Sequence, residues 1–342
     1  MSNSKKKELG KYYTPPHLSD ALCRLAITDS KANVLEPSFG GCAFLTSIRK
    51  RLKELGASNP QQQIFGCDID NEAFIHLSHW GVNGTSDHFN ERDFLLLDPS
   101  EVSSKKFDVV IGNPPYISIH NMVGSQKEIV KNFRKEKNLP FENRASLWAY
   151  FVIHSCSFLK KGGSICFVLP QIAMHTLYGE RAISLIAKRF ASVHWYTIRN
   201  RHFEHEGIDE KVGILHAKNY KPDGDENESD ISDIKVFSID HKDFDQIERI
   251  HEREDVPTDI RINKISLKEL YPKDDLIRLG ELIDIKIGTV TGDNNYFVID
   301  EITRNKNNLR EDYFIPIIRK YTHCGFFNFT RSDWEKLASE NE

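Results

Sequence analysis

The chain has 342 residues, of which 39% are apolar and 28% charged, and its formal net charge is −4 at pH 7. These values describe a globular protein of one large or two ordinary domains and argue mildly against a protein that coats nucleic acid. No apolar run approaches the roughly 20 residues that span a bilayer, and the charged residues 1–7 lack the apolar stretch of a secretory signal. Six scattered cysteines are typical of reduced thiols. We therefore expect a cytoplasmic protein with no membrane contact and no metal.

The first predicted element is a helix that begins at Thr14-Pro-Pro. Thr14 is a candidate cap, and prolines suit the first helical turn. Leu18, Leu22 and Leu25 fall on one helical face. On these residues alone, an amphipathic helix with a purely structural role is the favoured interpretation.

A glycine loop follows the next predicted strand. The strand ends at Leu35, residues 36–41 (Glu-Pro-Ser-Phe-Gly-Gly) form the loop, and residues 43–55 are predicted to be helical. A loop of this kind lets the backbone approach a ligand closely and presents helix N-terminal amides to it. Because many strand–helix turns contain two glycines, this signal is weak by itself.

The strand predicted over residues 63–70 strengthens the signal, because it ends in acidic residues about thirty positions after Glu36. Dinucleotide-binding folds place an acidic side chain at that point to hold ribose hydroxyls. Asp68 is the ribose candidate. Asp70 is expected to cap the following helix instead.

Asp93 and Phe94 lie shortly before the next predicted strand. A carboxylate for the amino group of adenine, with an aromatic ring beside the purine, would suit an adenosyl ligand. In isolation, an acidic loop residue followed by a core phenylalanine is the stronger interpretation.

The most specific stretch is Phe107-Asp-Val-Val-Ile-Gly-Asn-Pro-Pro-Tyr116. Residues 107–111 predict a buried strand, and two prolines prevent both helix continuation and ladder pairing. Asn113 is thereby presented beyond the carboxyl end of a strand, where open α/β sheets bind ligands. Its carboxamide oxygen and the Pro114 carbonyl could accept both hydrogens of a planar amino group, and Tyr116 offers a face for stacking. For the prolines alone, a stiff turn without chemistry is the alternative.

Five motifs in fixed order resemble the gamma-class adenine DNA methyltransferases of restriction–modification systems, which use S-adenosylmethionine (SAM). They are Thr14-Pro-Pro (motif X), Leu35-Glu-Pro-Ser-Phe-Gly-Gly (motif I), Asp68-Ile-Asp (motif II), Asp93-Phe (motif III) and Asn113-Pro-Pro-Tyr (motif IV). The resemblance covers roughly residues 10–300, and motif IV is its most specific part. Motif I departs from the family pattern because it lacks a second, spaced glycine.

The resemblance implies an α/β fold: a Rossmann-like SAM-dependent methyltransferase sheet with helices on both faces, followed by the start of a smaller target-recognition region. It implies catalytic roles for Asn113, Pro114 and Tyr116, with the flipped base held by Tyr116 and by Phe203, the candidate aromatic of motif VIII. Core packing is a rival explanation for Phe203. The implied SAM-binding residues are Thr14, Glu36, Ser38, Gly40, Asp68, Asp93 and Phe94.

A connecting segment rich in basic residues, 117–145, follows the turn that carries motif IV. It could close over an extruded nucleotide, contact phosphates, or present a solvated helix face. Its basic residues are Lys127, Lys131, Arg134, Lys135 and Lys137. Beyond it the sequence predicts a helix over 145–159, a strand over 164–170, a helix over 181–190 and a strand over 193–198.

We expect three regions: a SAM-dependent catalytic domain (1–220), an acidic linker and connector (221–275) and a partial target-recognition domain (276–342). A full domain of the last kind is usually longer. The chain is therefore expected to be shortened, to be a fragment, or to be completed by a partner.

The expected reaction is methyl transfer from SAM to the exocyclic amino nitrogen of a flipped adenine in double-stranded DNA, in a restriction–modification or phage-defence system. A second chain that completes target recognition or carries a nuclease would be a further partner. Two alternatives stay open: methylation of a protein glutamine or an RNA base, and a non-catalytic subunit that binds SAM and DNA.

Overall fold

The computed structural model describes residues 14–81, 86–103, 106–141, 145–198, 211–222, 234–240, 244–245, 247–249 and 301–310. The chain divides into two compact units, Met1–Lys264 and Ile265–Glu342. The described residues of the first unit form one eight-stranded sheet. Its strands are β1 (Val34–Glu36), β2 (Ile64–Asp68), β3 (Phe89–Glu91), β4 (Phe107–Gly112), β5 (Leu159–Pro170), β6 (Phe190–Ile198), β7 (Val212–Tyr220) and β8 (Ile234–Ile239).

Helices alternate with the first strands, as expected of an α/β fold. In the first unit they are α1 (Pro16–Ala26), α2 (Ala43–Glu54), α3 (Asn71–His79), α4 (Pro99–Val102), α5 (Gln126–Glu136), α6 (Leu147–Ser155) and α7 (Leu177–Ala187). Short 3-10 helices lie at Pro60–Gln63, Phe94–Leu96, Cys156–Phe158 and Gln171–Met174. In the second unit the structure describes α8 (Glu301–Lys306). None of the helices described is both long and apolar enough to cross a membrane.

The strands follow the order β3-β2-β1-β4-β5-β7-β6-β8. All neighbouring strands are parallel except β7, which runs antiparallel to β5 and β6. Leu35 pairs with Phe65 on one side and with Val110 on the other. This register brings the carboxyl ends of β1, β2 and β4 to the same edge of the sheet. The expected Rossmann-like α/β sheet is confirmed.

Both faces of the sheet are covered by helices. Because side chains alternate along a strand, Val110 packs with Trp148 of α6 on one face, whereas Val109 and Ile111 pack with α1 and α2 on the other. Trp148 and Val110 are fully buried. Burial of these two apolar layers is the main favourable contribution to folding, and it holds the carboxyl edge in place.

Several elements differ from the sequence-based expectations. The N-cap of α1 is Pro15, without a side-chain hydrogen bond, so Thr14 does not cap this helix. Helix α6 ends at Ser155 rather than at residue 159, and β5 begins at Leu159 rather than at residue 164.

Helix α7 begins at Leu177 rather than at residue 181, because the side chain of Thr176 accepts a hydrogen bond from the Gly179 amide and caps it. Strand β8 lies inside the predicted connector (221–275) and pairs in parallel with β6, so the sheet continues past residue 220. The boundaries proposed for the three regions stay a prediction.

Candidate active site

A cleft opens at the carboxyl ends of β1, β2 and β4. It encloses about 1090 Å³ of empty space, its open mouth included, which is ample for a nucleoside-sized ligand. The structure brings all seven predicted cofactor residues and the predicted catalytic amide together around it. These residues are Thr14, Glu36, Ser38, Gly40, Asp68, Asp93, Phe94 and Asn113.

Asn113 follows β4 directly, and its side-chain carboxamide is hydrogen-bonded through the nitrogen atom. Its Nδ2 atom donates a hydrogen bond to the hydroxyl oxygen of Thr14 at 3.1 Å. Its Oδ1 atom is buried and accepts no hydrogen bond from any residue that the structure describes. A buried acceptor without a partner costs about 1–3 kcal/mol. The arrangement therefore favours a ligand that brings an N–H donor to this oxygen.

The turn after Asn113 is tied to the start of α6. The carbonyl of Ile117 accepts hydrogen bonds from the Ser146 hydroxyl at 3.0 Å and from the Leu147 amide at 2.9 Å. Pro115 and Ile117 line the cleft. Tyr116 is half-buried, packs against both core clusters and is not among the lining residues. Stacking of a base on Tyr116 stays a prediction, as does the role of the Pro114 carbonyl.

Glu36 ends β1 as a buried acid, 2% exposed, on the wall of the cleft. Burial, together with the charge of Asp68, raises the pKa of Glu36 well above its usual range, and the Leu45 amide acts in the opposite direction. Its Oε2 atom accepts no hydrogen bond from the described residues. A hydroxyl-bearing ligand would satisfy this oxygen.

Asp68 connects the glycine loop to the end of β2. Its Oδ2 atom accepts a hydrogen bond from the Gly40 amide, and its Oδ1 atom accepts one from the Asp70 amide, both at 2.9 Å. Burial raises the pKa of Asp68, and these amides partly oppose the rise. Gly40 has a φ of +43°, in the left-handed region that glycine tolerates best. As expected, Asp70 caps α3 by accepting a hydrogen bond from the Glu72 amide.

Asp93 and Phe94 occupy the next turn of the cleft wall. The Oδ1 atom of Asp93 accepts a hydrogen bond from the Leu95 amide at 2.9 Å, and burial raises the pKa of Asp93. Phe94 is only 2% exposed, and its ring centroid lies 4.8 Å from that of His154 and 5.1 Å from that of Phe151. Phe94 therefore belongs to the core and also borders the cleft.

Sequence reasoning missed one cleft residue whose position suits a flat ligand. Ile69 is 67% exposed and lines the cleft between the two acids of motif II. An apolar side chain flanked by acids immediately after a strand is a signal that could have identified it. Phe203, the predicted motif VIII aromatic, lies outside the described residues.

Two family models match nearly the whole chain. Residues 1–242 match N-6 DNA Methylase. Residues 262–342 match the C-terminal domain of the Type II methyltransferase M.Eco57I.

The chain is also similar to curated methyltransferases. It is 23% identical to the Type II methyltransferase M.AccI of Acinetobacter calcoaceticus over 100% of this chain and 62% of that protein. It is 24% identical to the Type II methyltransferase M.HindII of Haemophilus influenzae over 97% of this chain and 63% of that protein. The chain thus spans less than two thirds of the length of these relatives.

A solved structure of a candidate class I S-adenosylmethionine-dependent methyltransferase from Listeria monocytogenes has the same fold. It is 18% identical, with a TM-score of 0.50 over 67% of this chain and 66% of that one. The order of motifs, the sheet and the family match agree, and they confirm the resemblance inferred from the sequence. The chain belongs to the N-6 DNA methylase family.

Proposed function

We propose that this chain transfers the methyl group of SAM to the exocyclic amino nitrogen of adenine in double-stranded DNA, as the modification component of a restriction–modification system. The observation that carries the proposal is that Asn113, a residue of the cleft wall, has a buried Oδ1 atom with no described partner while Thr14 holds the nitrogen of the same amide. An amino group of adenine is a donor that would satisfy it.

The acids of the cleft suit the cofactor. Glu36 has an acceptor oxygen without a described partner, and Asp68 ends the adjacent strand, so that both could accept hydrogen bonds from ribose hydroxyls. Asp93 would accept from the amino group of the SAM adenine, with Ile69 against the purine face. When bound, SAM supplies a methyl group activated by its sulfonium.

The residues of the catalytic turn would act by positioning and electrostatics. Asn113 Oδ1 and the Pro114 carbonyl would accept the two hydrogens of the target amino group and so aim its lone pair at the methyl carbon. The C–N bond would form as the methyl–sulfur bond breaks and the neutral thioether is released, and these two oxygens would stabilise the positive charge on the nitrogen until a proton passes to solvent. The adenine must leave the duplex stack to reach them, and Tyr116 would stack on it.

Labelled-methyl transfer from SAM by the full chain tests the proposal. The acceptors are unmethylated mixed-sequence duplex DNA, RNA and a glutamine-containing protein, assayed in parallel. We expect label in DNA, recovered as N6-methyladenine. Label in RNA or protein alone would contradict the proposed substrate, and an absence of label in all three would contradict the proposed reaction of this chain.

A further inference from the structure

One exposed face of α5 carries a row of three lysines. Lys127, Lys131 and Lys135 are all exposed and follow one another at intervals of four residues. Four residues advance an α-helix by about 6 Å and turn it by about 40°, so side chains at this spacing are neighbours. We call Lys127, Lys131 and Lys135 the lysine row. Within the described part of the chain, none of the three forms an ion pair.

The lysine row is a local excess of positive charge on a chain whose net charge is −4. Helix α5 has four basic and two acidic residues. One of the acids, Glu136, pairs with Lys137 at 3.2 Å, and the other, Glu128, lies on the exposed side. The remaining base, Arg134, donates a hydrogen bond to the Phe141 carbonyl and therefore has a structural role.

The side of helix α5 away from the lysine row packs against the core. Val130 and Phe133 are buried, and the Phe133 ring lies 5.1 Å from that of His154 in the core. The first residue of the helix, Gln126, lines the same cleft as Asn113. The amino end of α5 therefore borders the cleft, and Lys127, the first member of the lysine row, is the next residue along the helix.

We propose that the lysine row binds the phosphates of the DNA strand that delivers its base to the cleft. This inference rests on the proposed function and names a surface that positions the substrate. Each strand of a duplex carries a phosphate about every 3.4 Å of axis, and the row spans about 12 Å, the length of three to four phosphates. Contacts of this kind set the register of the strand and read no sequence.

The test replaces the row and a matched set of lysines in the full chain. The test variant is Lys127→Gln, Lys131→Gln and Lys135→Gln together. The control removes the same charge from three exposed lysines near the amino ends of the strands, Lys31, Lys53 and Lys161. A third variant keeps the charge of the row by changing all three lysines to arginine. Thermal unfolding of each variant verifies that it is folded.

The readout is the affinity for unmethylated duplex DNA as a function of salt concentration. The logarithm of the binding constant falls linearly with the logarithm of the salt concentration, and each phosphate contact adds about 0.9 to the steepness of that line. Removal of three contacts should therefore make the slope of the row variant shallower by about 2.7. The wild type then loses about 40-fold more affinity than the row variant between 50 and 200 mM salt. The control and the arginine variant should keep the wild-type slope.

Three results would overturn the assignment. They are an unchanged slope in the row variant, an equal loss in the row variant and the control, and a greater change on duplex RNA than on duplex DNA. Failure of the proposed function is separate from these results, because it is measured as methyl transfer by the wild type. A reduced slope without methyl transfer would support the row alone, and methyl transfer with an unchanged slope would support the reaction alone.

Discussion

The side-chain amide of Asn113 donates a hydrogen bond to the hydroxyl of Thr14, 99 residues earlier in the chain. The bond joins the residue that follows β4 to the residues that precede α1. Nδ2 is engaged, so Oδ1, which has no described partner, is the acceptor that this residue of the cleft wall has left. Thr14 therefore orients the amide on which the proposed reaction depends.

Replacing Thr14 by valine should slow methyl transfer. Valine has nearly the shape of threonine but leaves Nδ2 of Asn113 without its acceptor, a cost of about 1–3 kcal/mol, or about five- to 150-fold in kcat. Thr14→Ser keeps the hydroxyl and should retain most of the rate. Steady-state kinetics should show a larger effect on kcat than on KM for SAM. Equal rates for the valine and serine variants would contradict this role.

The buried acid Glu36 should make the protein less stable as the pH rises. Its pKa is raised in the folded state, by burial first and by Asp68 second, so the folded chain holds this proton more tightly than the unfolded chain does. The contribution to stability is complete below the ordinary pKa of about 4.5 and is lost as the pH rises toward the folded pKa. Glu36→Gln removes the titration.

Thermal unfolding between pH 4.5 and pH 8 measures this effect. The Tm of Glu36→Gln minus that of the wild type should increase across the range, while SAM binding weakens because glutamine has one acceptor oxygen in place of two. A Tm difference that is independent of pH would show that the folded-state pKa is not raised.

Asp68 should be needed both for the glycine loop and for ligand binding. Asp68→Ala leaves the amides of Gly40 and Asp70 without their acceptor and should lower the free energy of unfolding by about 2 kcal/mol or more. Asp68→Asn keeps one oxygen and should lose less stability. Both variants should bind SAM at least ten-fold more weakly by calorimetry. Wild-type binding by the alanine variant would exclude Asp68 as a ligand contact.

His154 should make the first unit sensitive to acid. Burial lowers its pKa to about 4, and its Nε2 atom lies 3.0 Å from the Leu97 carbonyl oxygen. A lowered folded-state pKa gives stability that is present above the ordinary value of about 6.5 and is lost as the pH falls through about 4. The loss is about 3 kcal/mol for a shift of this size.

Denaturant unfolding at pH 7 and pH 4.5 should show a smaller acid loss in His154→Gln than in the wild type. His79→Gln, at an exposed position of α3, is the control and should behave as the wild type does. An equal acid loss in all three proteins would assign the sensitivity to other groups.

The positions of the main motifs could be predicted from the sequence because each follows a strand of a parallel sheet. Leu35, Asp68 and Asn113 lie at or just beyond the carboxyl ends of β1, β2 and β4, and parallel strands bring such ends to one edge. Local patterns were sufficient for those strands. The position of the cleft then follows from the parallel pairing of these strands.

Features that depend on packing between distant segments could not be predicted. The packing of Tyr116 is one example, because this half-buried side chain contacts both core clusters, and stacking of a base on it stays a prediction. The bond between Thr14 and Asn113 requires the placement of α1 against β4. Strand β8 follows an acidic, turn-rich stretch of sequence and was not predicted. It is a strand because it pairs in parallel with β6, which is distant in the sequence.

The most direct test of the account is methyl transfer to duplex DNA by Asn113→Ala, measured beside SAM binding to the same variant. The alanine removes the carboxamide of Asn113 and leaves Glu36 and Asp68 of the cleft wall in place. We expect incorporation of labelled methyl to fall by about a thousand-fold or more, with SAM affinity within a few-fold of the wild type. Methyl transfer near the wild-type rate would contradict the central role of Asn113.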